Sequence, residues 1–291
     1  MARRERGGAA FDRRRVLAGL LATAAAGSVT ATLAAGPIRF GLTPVFLTND
    51  LHLLERLAAY LERKTGGPVE LVMRRTYQEI TALLVSGQLD AAWICGYPFV
   101  QYRERLTLVA VPVWRGETLY RSYLIVPRGR AVTGLAELRG DLHAFSDPDS
   151  NSGFLVTTAL LAEEGLHPDT FFRQAIFTYG HRNVVRAVGA GLAQSGSVDG
   201  YVLEVLREVE PALAGSVDVV RASEWLGFPP VAAPRGAGPR TEAIRDALVG
   251  MAGDAEGLKI LASLRLDGFA VRPTALYDPI ARMVAIASGA G

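Results

Sequence analysis

A short polar turn carries the clearest potential for chemistry in this sequence. Residues 145–155 read FSDPDSNSGFL, in which the end of a predicted strand is followed by a turn and a predicted helix start. Backbone N–H groups at a helix start lack partners within the helix, and the helix dipole there favours negative charge. Ser150, Asn151 and Ser152 add polar side chains, and Gly153 allows close approach, so the turn predicts an oxyanion cradle. The alternative is ordinary helix capping by Ser150 or Asn151.

Aromatic and hydroxyl side chains stand at the ends of several predicted strands. Tyr77 begins a predicted helix after a strand, where Thr76 and Glu79 form a capping box. Tyr97 follows the strand AAWIC. Tyr120 and Ser122 occupy alternate positions of YRSYLIV. Any one tyrosine could instead line a core or a contact between lobes. Because ligands of open α/β sheets bind beyond the carboxyl ends of the strands, the set together indicates a binding site.

His181 and Asp199 form a third candidate group. His181 begins a predicted helix in TYGHRNVVRAV, and Asp199 lies in the predicted strand SVDGYV. The histidine could donate to an oxyanion and the aspartate could accept from a protonated ligand group. The alternative for His181 is a helix cap. His143 lies within a predicted strand, and we expect it to be structural.

Catalytic and metal-binding patterns are missing from the sequence. It contains no Gly-x-Ser-x-Gly elbow, no phosphate-binding Walker loop and no HExxH motif. The four histidines, at positions 52, 143, 167 and 181, show no ligand spacing. We therefore predict a protein that is not an enzyme and that has no cofactor or metal.

Cys95 is the only cysteine, which excludes an internal disulfide and a zinc site built from several thiolates. In a strand, residues two apart point to the same face, so Cys95 would face the ligand if Tyr97 does. The alternative is a small buried core residue.

The remaining pattern alternates strands with helices and predicts an α/β fold with largely parallel pairing. Residues 1–35 resemble a twin-arginine export signal, in which Arg13 and Arg14 are followed by one residue, Arg15, and then by an apolar run. An uncleaved membrane anchor is the alternative.

The leader, residues 1–35, carries a net charge of +4 from six arginines and two acidic residues. The total of +2 therefore leaves −2 elsewhere, which argues against nucleic-acid binding.

The segments resemble the periplasmic binding proteins of phosphate, phosphite and phosphonate ABC transporters over most of residues 38–232. The most specific are DPDSNSGFL and GHRNVVRAV. The resemblance implies a two-lobed type II periplasmic-binding-protein fold, with a mixed sheet and flanking helices in each lobe and the ligand in the interlobe cleft. It implies that lobe 1 comprises residues 37–122 plus 223–291 and lobe 2 residues 123–222. It also implies a small oxyanion ligand, an ABC permease as partner and a periplasmic monomer.

Two positions depart from the family pattern. Asn151 stands where the family's Ser-Thr-Ser-Gly turn has a hydroxyl, and Cys95 replaces a glycine two residues before the ligand tyrosine, which Tyr97 matches. The resemblance places Tyr77, Tyr120, Ser122, His181 and Asp199 along the cleft. A thiol suits thiophilic ligands, so the alternative function is a sensor of arsenite or a related oxyanion that signals to a membrane histidine kinase. An enzyme on the same fold and a structural lipoprotein are disfavoured, because catalytic groups and a lipobox cysteine are missing.

Overall fold

The computed structural model describes Met1 and residues 36–43, 51–236 and 238–289. The predicted export segment, residues 1–35, lies outside the described residues except for Met1. Pro37–Gly291 forms one compact unit, which contains the described strands and helices. Across these described ranges, no helix is both long and apolar enough to cross a bilayer.

Two large sheets organise the compact unit. In chain order, the described strands are β1 (Ile38–Leu42), β2 (Val69–Met73), β3 (Ala91–Trp93), β4 (Leu106–Val113), β5 (Leu119–Tyr120), β6 (Ser122–Pro127), β7 (Leu142–Phe145), β8 (Gln174–Phe177), β9 (Ser195–Asp199), β10 (Val217–Ala222), β11 (Leu226–Gly227), β12 (Val231–Pro234) and β13 (Gly268–Ala270). One sheet has the order β13-β4-β12-β3-β1-β2, and the other has the order β10-β6-β9-β7-β8. A two-stranded ribbon joins β5 to β11.

Helices fill the connections between these strands. They are α1 (Leu51–Thr65), α2 (Tyr77–Val85), α3 (Gly96–Gln101), α4 (Val156–Glu163), α5 (Pro168–Phe171), α6 (His181–Gly189), α7 (Gly200–Val209), α8 (Pro211–Ala214), α9 (Pro239–Val249), α10 (Ala255–Leu264) and α11 (Asp278–Ala287). A π-helical turn, Asn151–Leu155, leads directly into α4. Short 3-10 helices occupy Leu135–Leu138, Gly250–Gly253 and Thr274–Tyr277. The six-stranded half is the first sheet with the β5–β11 ribbon, α1–α3 and α9–α11, and the five-stranded half is the second sheet with the π-helical turn and α4–α8.

Both sheets are mixed, so the expectation of a mixed sheet is confirmed and that of largely parallel pairing is wrong. In the six-stranded sheet β1 pairs in parallel with β2 and β3, whereas β12 and β13 pair antiparallel. In the other sheet β7 pairs in parallel with β8 and β9, whereas β6 pairs antiparallel. The reason lies in the connections: β6 and β12 each enter their sheet soon after the chain crosses from the other half, without the crossover helix that parallel pairing needs.

The chain crosses between the halves twice, at residues 120–122 and 222–226. The crossings are tied together, because the Ser122 N–H donates to Ser223 Oγ at 2.9 Å and the Phe228 N–H donates to the Thr118 carbonyl at 3.0 Å. Helix α11 also spans the halves, since it packs on both α3 and α4. The carboxyl ends of β3, β7 and β9 therefore lie within one packed unit.

Candidate ligand-binding site

The polar turn after β7 is a helix start, as the sequence predicts, but its first turn is a π-helix. Ser150 caps it, because its Oγ accepts the Gly153 N–H at 3.0 Å. The Leu155 N–H reaches back to the Ser150 carbonyl at 3.0 Å, the five-residue spacing of a π-helix. Such turns widen the helix and are frequent at functional sites. The capping alternative is thus realised in Ser150, while Asn151 and Ser152 remain available for other contacts.

Gly153 is required by close packing at this turn. A Cβ there would lie 1.9 Å from Ser146 Oγ and 3.0 Å from His181 Cε1. The Ser146 N–H also donates to the Gly153 carbonyl at 3.1 Å. The glycine therefore brings the turn, the end of β7 and the start of α6 into direct contact.

Tyr77 enters the same region from the six-stranded half. A reciprocal capping box between Thr76 and Glu79 fixes the start of α2, as the sequence predicts. The free N–H of Tyr77 donates to the Asp147 carboxylate at 3.2 Å, which places a negative charge at a helix N-terminus. This hydrogen bond links the two halves, and sequence reasoning did not single out Asp147.

His181 is held in one tautomer by its neighbours. It lies on the buried face of α6 with Val184, Val185 and Val188, and the Asp199 N–H donates to its Nδ1 at 3.1 Å. Burial lowers the pKa of His181 to about 3, so the ring is neutral and its proton lies on Nε2. Nε2 lies 3.3 Å from the Tyr77 hydroxyl and donates to it. The Tyr77 O–H is thereby left to donate to another group.

Cys95 is not in a strand, so the prediction based on strand alternation is wrong. Strand β3 ends at Trp93, and Cys95 is the N-cap residue of the short helix α3. The chain packs closely on α11 where α3 begins, since a Cβ at Gly96 would lie 2.6 Å from Ile280 Cδ1. Cys95 is nevertheless buried among the predicted residues, where its Sγ accepts the Asn151 N–H at 3.1 Å.

Tyr97 is more exposed to solvent than the other predicted site residues. It is half-buried in α3, whereas Cys95 is buried. Burial and the nearby charge of Asp149 raise the pKa of Tyr97. Tyr97 therefore borders the loop that precedes the π-helical turn.

Asn151 makes a second contact across the halves. Its Nδ2 donates to the Tyr120 hydroxyl at 2.8 Å. Tyr120 belongs to β5 and Ser122 to β6, so these two residues do not alternate within one strand as expected. The chain crosses between the halves at this point, which ends β5. Ser122 contacts the turn separately, because its Oγ donates to the Ser152 carbonyl at 2.6 Å.

Three side-chain atoms of this region are buried and have no hydrogen-bond partner within the part of the chain that the structure describes. They are Ser146 Oγ, Asn151 Oδ1 and Ser152 Oγ. The Ser152 hydroxyl lies near both Asp199 and Tyr120 and partly offsets the burial that raises the pKa of each, yet it makes no hydrogen bond of good geometry with either. Leaving buried polar groups unpaired costs about 1–3 kcal/mol each, so such groups in one turn indicate a place where a ligand binds.

The charges of the site are carboxylates whose negative form is disfavoured. Burial raises the pKa of Asp199 to about 7, although its Oδ1 accepts the Val202 N–H at 3.2 Å as the N-cap of α7. Burial also raises the pKa of Asp147 and Asp149. The ten predicted residues include no lysine or arginine, so positive potential here comes from helix starts.

His143 lies outside this cluster and is structural, as expected. Its Nδ1 and Nε2 each lie 2.8 Å from a serine hydroxyl, of Ser195 and Ser197 respectively, and its ring stacks on Phe172. Burial lowers its pKa to about 3. Both ring nitrogens are thus satisfied within the five-stranded half.

The structure brings nine of the ten predicted residues together as buried side chains, with Tyr97 at their edge. Sequence reasoning missed Ser146 and Asp147. The available signal was position, because both polar residues directly follow β7 within the quoted turn. The polar cluster is the following set: Tyr77, Cys95, Tyr97, Tyr120, Ser122, Ser146, Asp147, Ser150, Asn151, Ser152, His181 and Asp199.

Known proteins share this arrangement of elements. The model of a family described as the periplasmic substrate-binding protein of phosphonate ABC transporters matches residues 40–275. The phosphate-import protein PhnD of Mycolicibacterium smegmatis is 27% identical over 239 residues, which are 76% of this chain and 74% of that protein.

Solved structures of two transport-related proteins have the same fold. A binding protein component of a phosphonate ABC transporter from Pseudomonas aeruginosa has a TM-score of 0.79 and 20% identity, with 87% of each chain covered. A Prochlorococcus marinus protein in complex with methylphosphonate has a TM-score of 0.77 and 15% identity, with 87% of this chain and 98% of that chain covered. The fold is thus the mixed α/β type II periplasmic-binding-protein fold, and the chain belongs to the periplasmic substrate-binding proteins of phosphonate ABC transporters.

Proposed function

We propose that the protein captures a small protonated oxyanion, of the phosphate, phosphite and phosphonate class, in the polar cluster and presents it to an ABC permease. The observation that carries this proposal is the set of unpartnered buried atoms on Ser146, Asn151 and Ser152, beside the start of a helix. Two of these atoms are hydroxyls that can donate to oxyanion oxygens. The proposed ligand would form hydrogen bonds with these atoms, which would replace the water molecules that hydrate it in solution.

The ligand chemistry follows from the balance of donors and acceptors. Tyr77, Ser146 and Ser152 have hydroxyl protons to donate, and Asn151 Oδ1 and the Asp199 carboxylate can accept. A carboxylate repels a fully deprotonated anion but accepts a hydrogen bond from a P–OH group. We therefore expect phosphate or a monoalkyl phosphonate to bind and sulfate, which has no proton at neutral pH, to be excluded.

The proposed mechanism is closure of two lobes on the ligand. The lobes would be residues 37–122 plus 223–291 and residues 123–222, which rotate about the two tied crossings near Ser122 and Ser223. Cross-half hydrogen bonds from Tyr77 and Asn151 support such a closed state, because they form only when the halves meet. A ligand that bridges the halves would then shift the population towards closure.

A thermal-shift screen followed by calorimetry tests this function. Phosphate, phosphite, methylphosphonate, arsenate, arsenite and sulfate are each added to the purified protein. A ligand present at 100 times its Kd stabilises the folded state by about 2.7 kcal/mol, so phosphate or a phosphonate should raise the Tm and sulfate should not. A screen in which no phosphorus oxyanion raises the Tm would contradict the proposal.

The sensory alternative has no support from the matched family. The screen includes arsenite because Cys95 lies within the polar cluster. A response to arsenite alone, lost in Cys95→Ser, would replace transport by sensing and make a histidine kinase the expected partner.

A further inference from the structure

The contact between Cys95 and Asn151 joins the two halves at the helix start. Cys95 stands at the N-cap position of α3 in the six-stranded half, and Asn151 is the first residue of the π-helical turn in the five-stranded half. The sulfur accepts the Asn151 N–H at 3.1 Å. This N–H is one of the donors that a helix start offers to an anion. The thiol therefore occupies a hydrogen-bonding position that an oxyanion oxygen could use.

The thiol is a weaker partner for that N–H than an anion would be. Burial raises the pKa of Cys95 to about 12, so the side chain is neutral at physiological pH. A neutral thiol sulfur is a weak acceptor, whereas hydrogen bonds to charged oxygens are roughly twice as strong as neutral ones. An oxyanion can therefore displace the sulfur from the N–H, but it must compete with it.

The rest of the turn shows that the thiol is only a partial substitute for a ligand. Asn151 also reaches the six-stranded half through the hydrogen bond from Nδ2 to Tyr120. Its Oδ1 and the neighbouring Ser152 Oγ are buried and unpartnered. These independent observations mark the same turn as a ligand position, with one donor satisfied by the protein and two groups left for a ligand.

On the basis of the function proposed above, we propose that the Cys95–Asn151 contact is a built-in latch that closes the ligand-free protein and competes with the oxyanion. Closure by the latch lowers the fraction of molecules that are open to a ligand, and the apparent affinity falls with that fraction. The latch thus raises the oxyanion concentration that is needed for half-saturation.

Removal of the sulfur tests the latch in the full chain. Cys95→Ala should raise the affinity for phosphate or methylphosphonate about 3–10-fold in calorimetry, the range expected for loss of one competing hydrogen bond. In small-angle X-ray scattering, its ligand-free radius of gyration should exceed that of the wild type. Thr81→Ala is the matched control, because it removes a small buried side chain of α2 whose hydroxyl has no hydrogen bond. It should leave the radius unchanged.

A further variant keeps the test decisive. If Cys95→Ala does not fold, Cys95→Val replaces it, because valine fills the space of the thiol but offers no hydrogen-bond acceptor. Its ligand-free radius of gyration should exceed that of the wild type by the same amount. An unchanged or lower affinity of the alanine variant, or equal radii for wild type and both variants, would overturn the latch. If neither phosphate nor methylphosphonate binds any of these proteins, the proposed function fails, while the radii still decide whether the latch exists.

Discussion

The two halves contribute to the polar cluster in different ways. In the five-stranded half the polar groups are bonded among themselves: Ser122 to Ser152, Asp199 to His181 and Ser150 to Gly153. In the six-stranded half the polar groups are bonded across the boundary: Tyr77 to Asp147 and His181, and Cys95 and Tyr120 to Asn151.

This difference indicates that the five-stranded half shapes the site in advance, whereas contacts of the six-stranded half depend on the two halves coming together. Internal hydrogen bonds hold the turn of the five-stranded half in shape whether or not the halves meet. The contacts of the six-stranded half need the two halves to lie against each other, so under the proposed closure they would form only in the closed state. We therefore expect substitutions in the five-stranded half to lower oxyanion affinity by the larger factors, and substitutions in the six-stranded half to shift the closing equilibrium by smaller amounts.

The largest effect should come from the charge of Asp199. Because burial raises its folded-state pKa to about 7, its protonated form favours the folded state, and this stability is lost as the pH rises from about 4 through 7. Asp199→Asn retains an acceptor for the α7 cap and should lose this dependence. The unfolding free energy of the variant, relative to wild type, should thus increase by at most about 4 kcal/mol between pH 4 and 8 in urea titrations.

His143 and His181 titrate with the opposite sign, because their pKa values are lowered by burial. They are common to both proteins, so the difference between variant and wild type isolates Asp199. A difference that does not change with pH would show that the aspartate is ionised without penalty in the folded state.

The next largest effect is expected at Gly153. In Gly153→Ala the new Cβ would lie 1.9 Å from Ser146 Oγ, so the turn must move away from β7. Overpacking of this kind costs about 1–3 kcal/mol and should lower oxyanion affinity about 100-fold, measured by calorimetry. Gly134→Ala serves as the control, since a Cβ there meets nothing within 4 Å. Equal affinities for the two variants would remove the turn from the site.

A smaller and more selective effect is expected for Ser152→Ala. The hydroxyl is buried without a partner, so its loss should leave stability unchanged or raise it, while oxyanion affinity falls about 10-fold. Ser195→Ala is the converse case, because that hydroxyl bonds His143. Ser195→Ala should therefore lower the Tm and leave the oxyanion affinity unchanged. The Tm and the oxyanion affinity of both variants are measured side by side. If both variants lost affinity, or if both lost stability, the division between a ligand-binding and a structural serine would be wrong.

The smallest effect is expected for Tyr77→Phe, which tests the six-stranded half. The change removes the acceptor for His181 Nε2 and one proposed ligand donor, and it should weaken binding about 3–10-fold. Tyr60→Phe, which loses a hydrogen bond to the Ala247 carbonyl within the six-stranded half, should leave affinity unchanged. A loss for Tyr77→Phe as large as that for Gly153→Ala would end the distinction between the halves.

Local patterns in the sequence were sufficient for the elements near the site. The capping box at Thr76 and Glu79 and the helix start at His181 depend on neighbours a few residues apart, and both appear as predicted. The quoted turn after β7 likewise begins a helix. The error at Cys95 arose because a run of apolar residues does not reveal where a strand gives way to a helix that packs on α11, more than 180 positions away.

By itself, the sequence determined the local chemistry: which residues begin helices, which turn carries serine hydroxyls at a helix start, and which family pattern the chain follows. Tertiary structure alone decided the partners: that Asp147 meets Tyr77, that the Cys95 sulfur takes the Asn151 N–H, and that Asp199 has a pKa near 7. The physical reason is that helix starts are fixed by short-range hydrogen bonds. Burial and contacts across the halves depend instead on how distant segments pack, which no local pattern encodes.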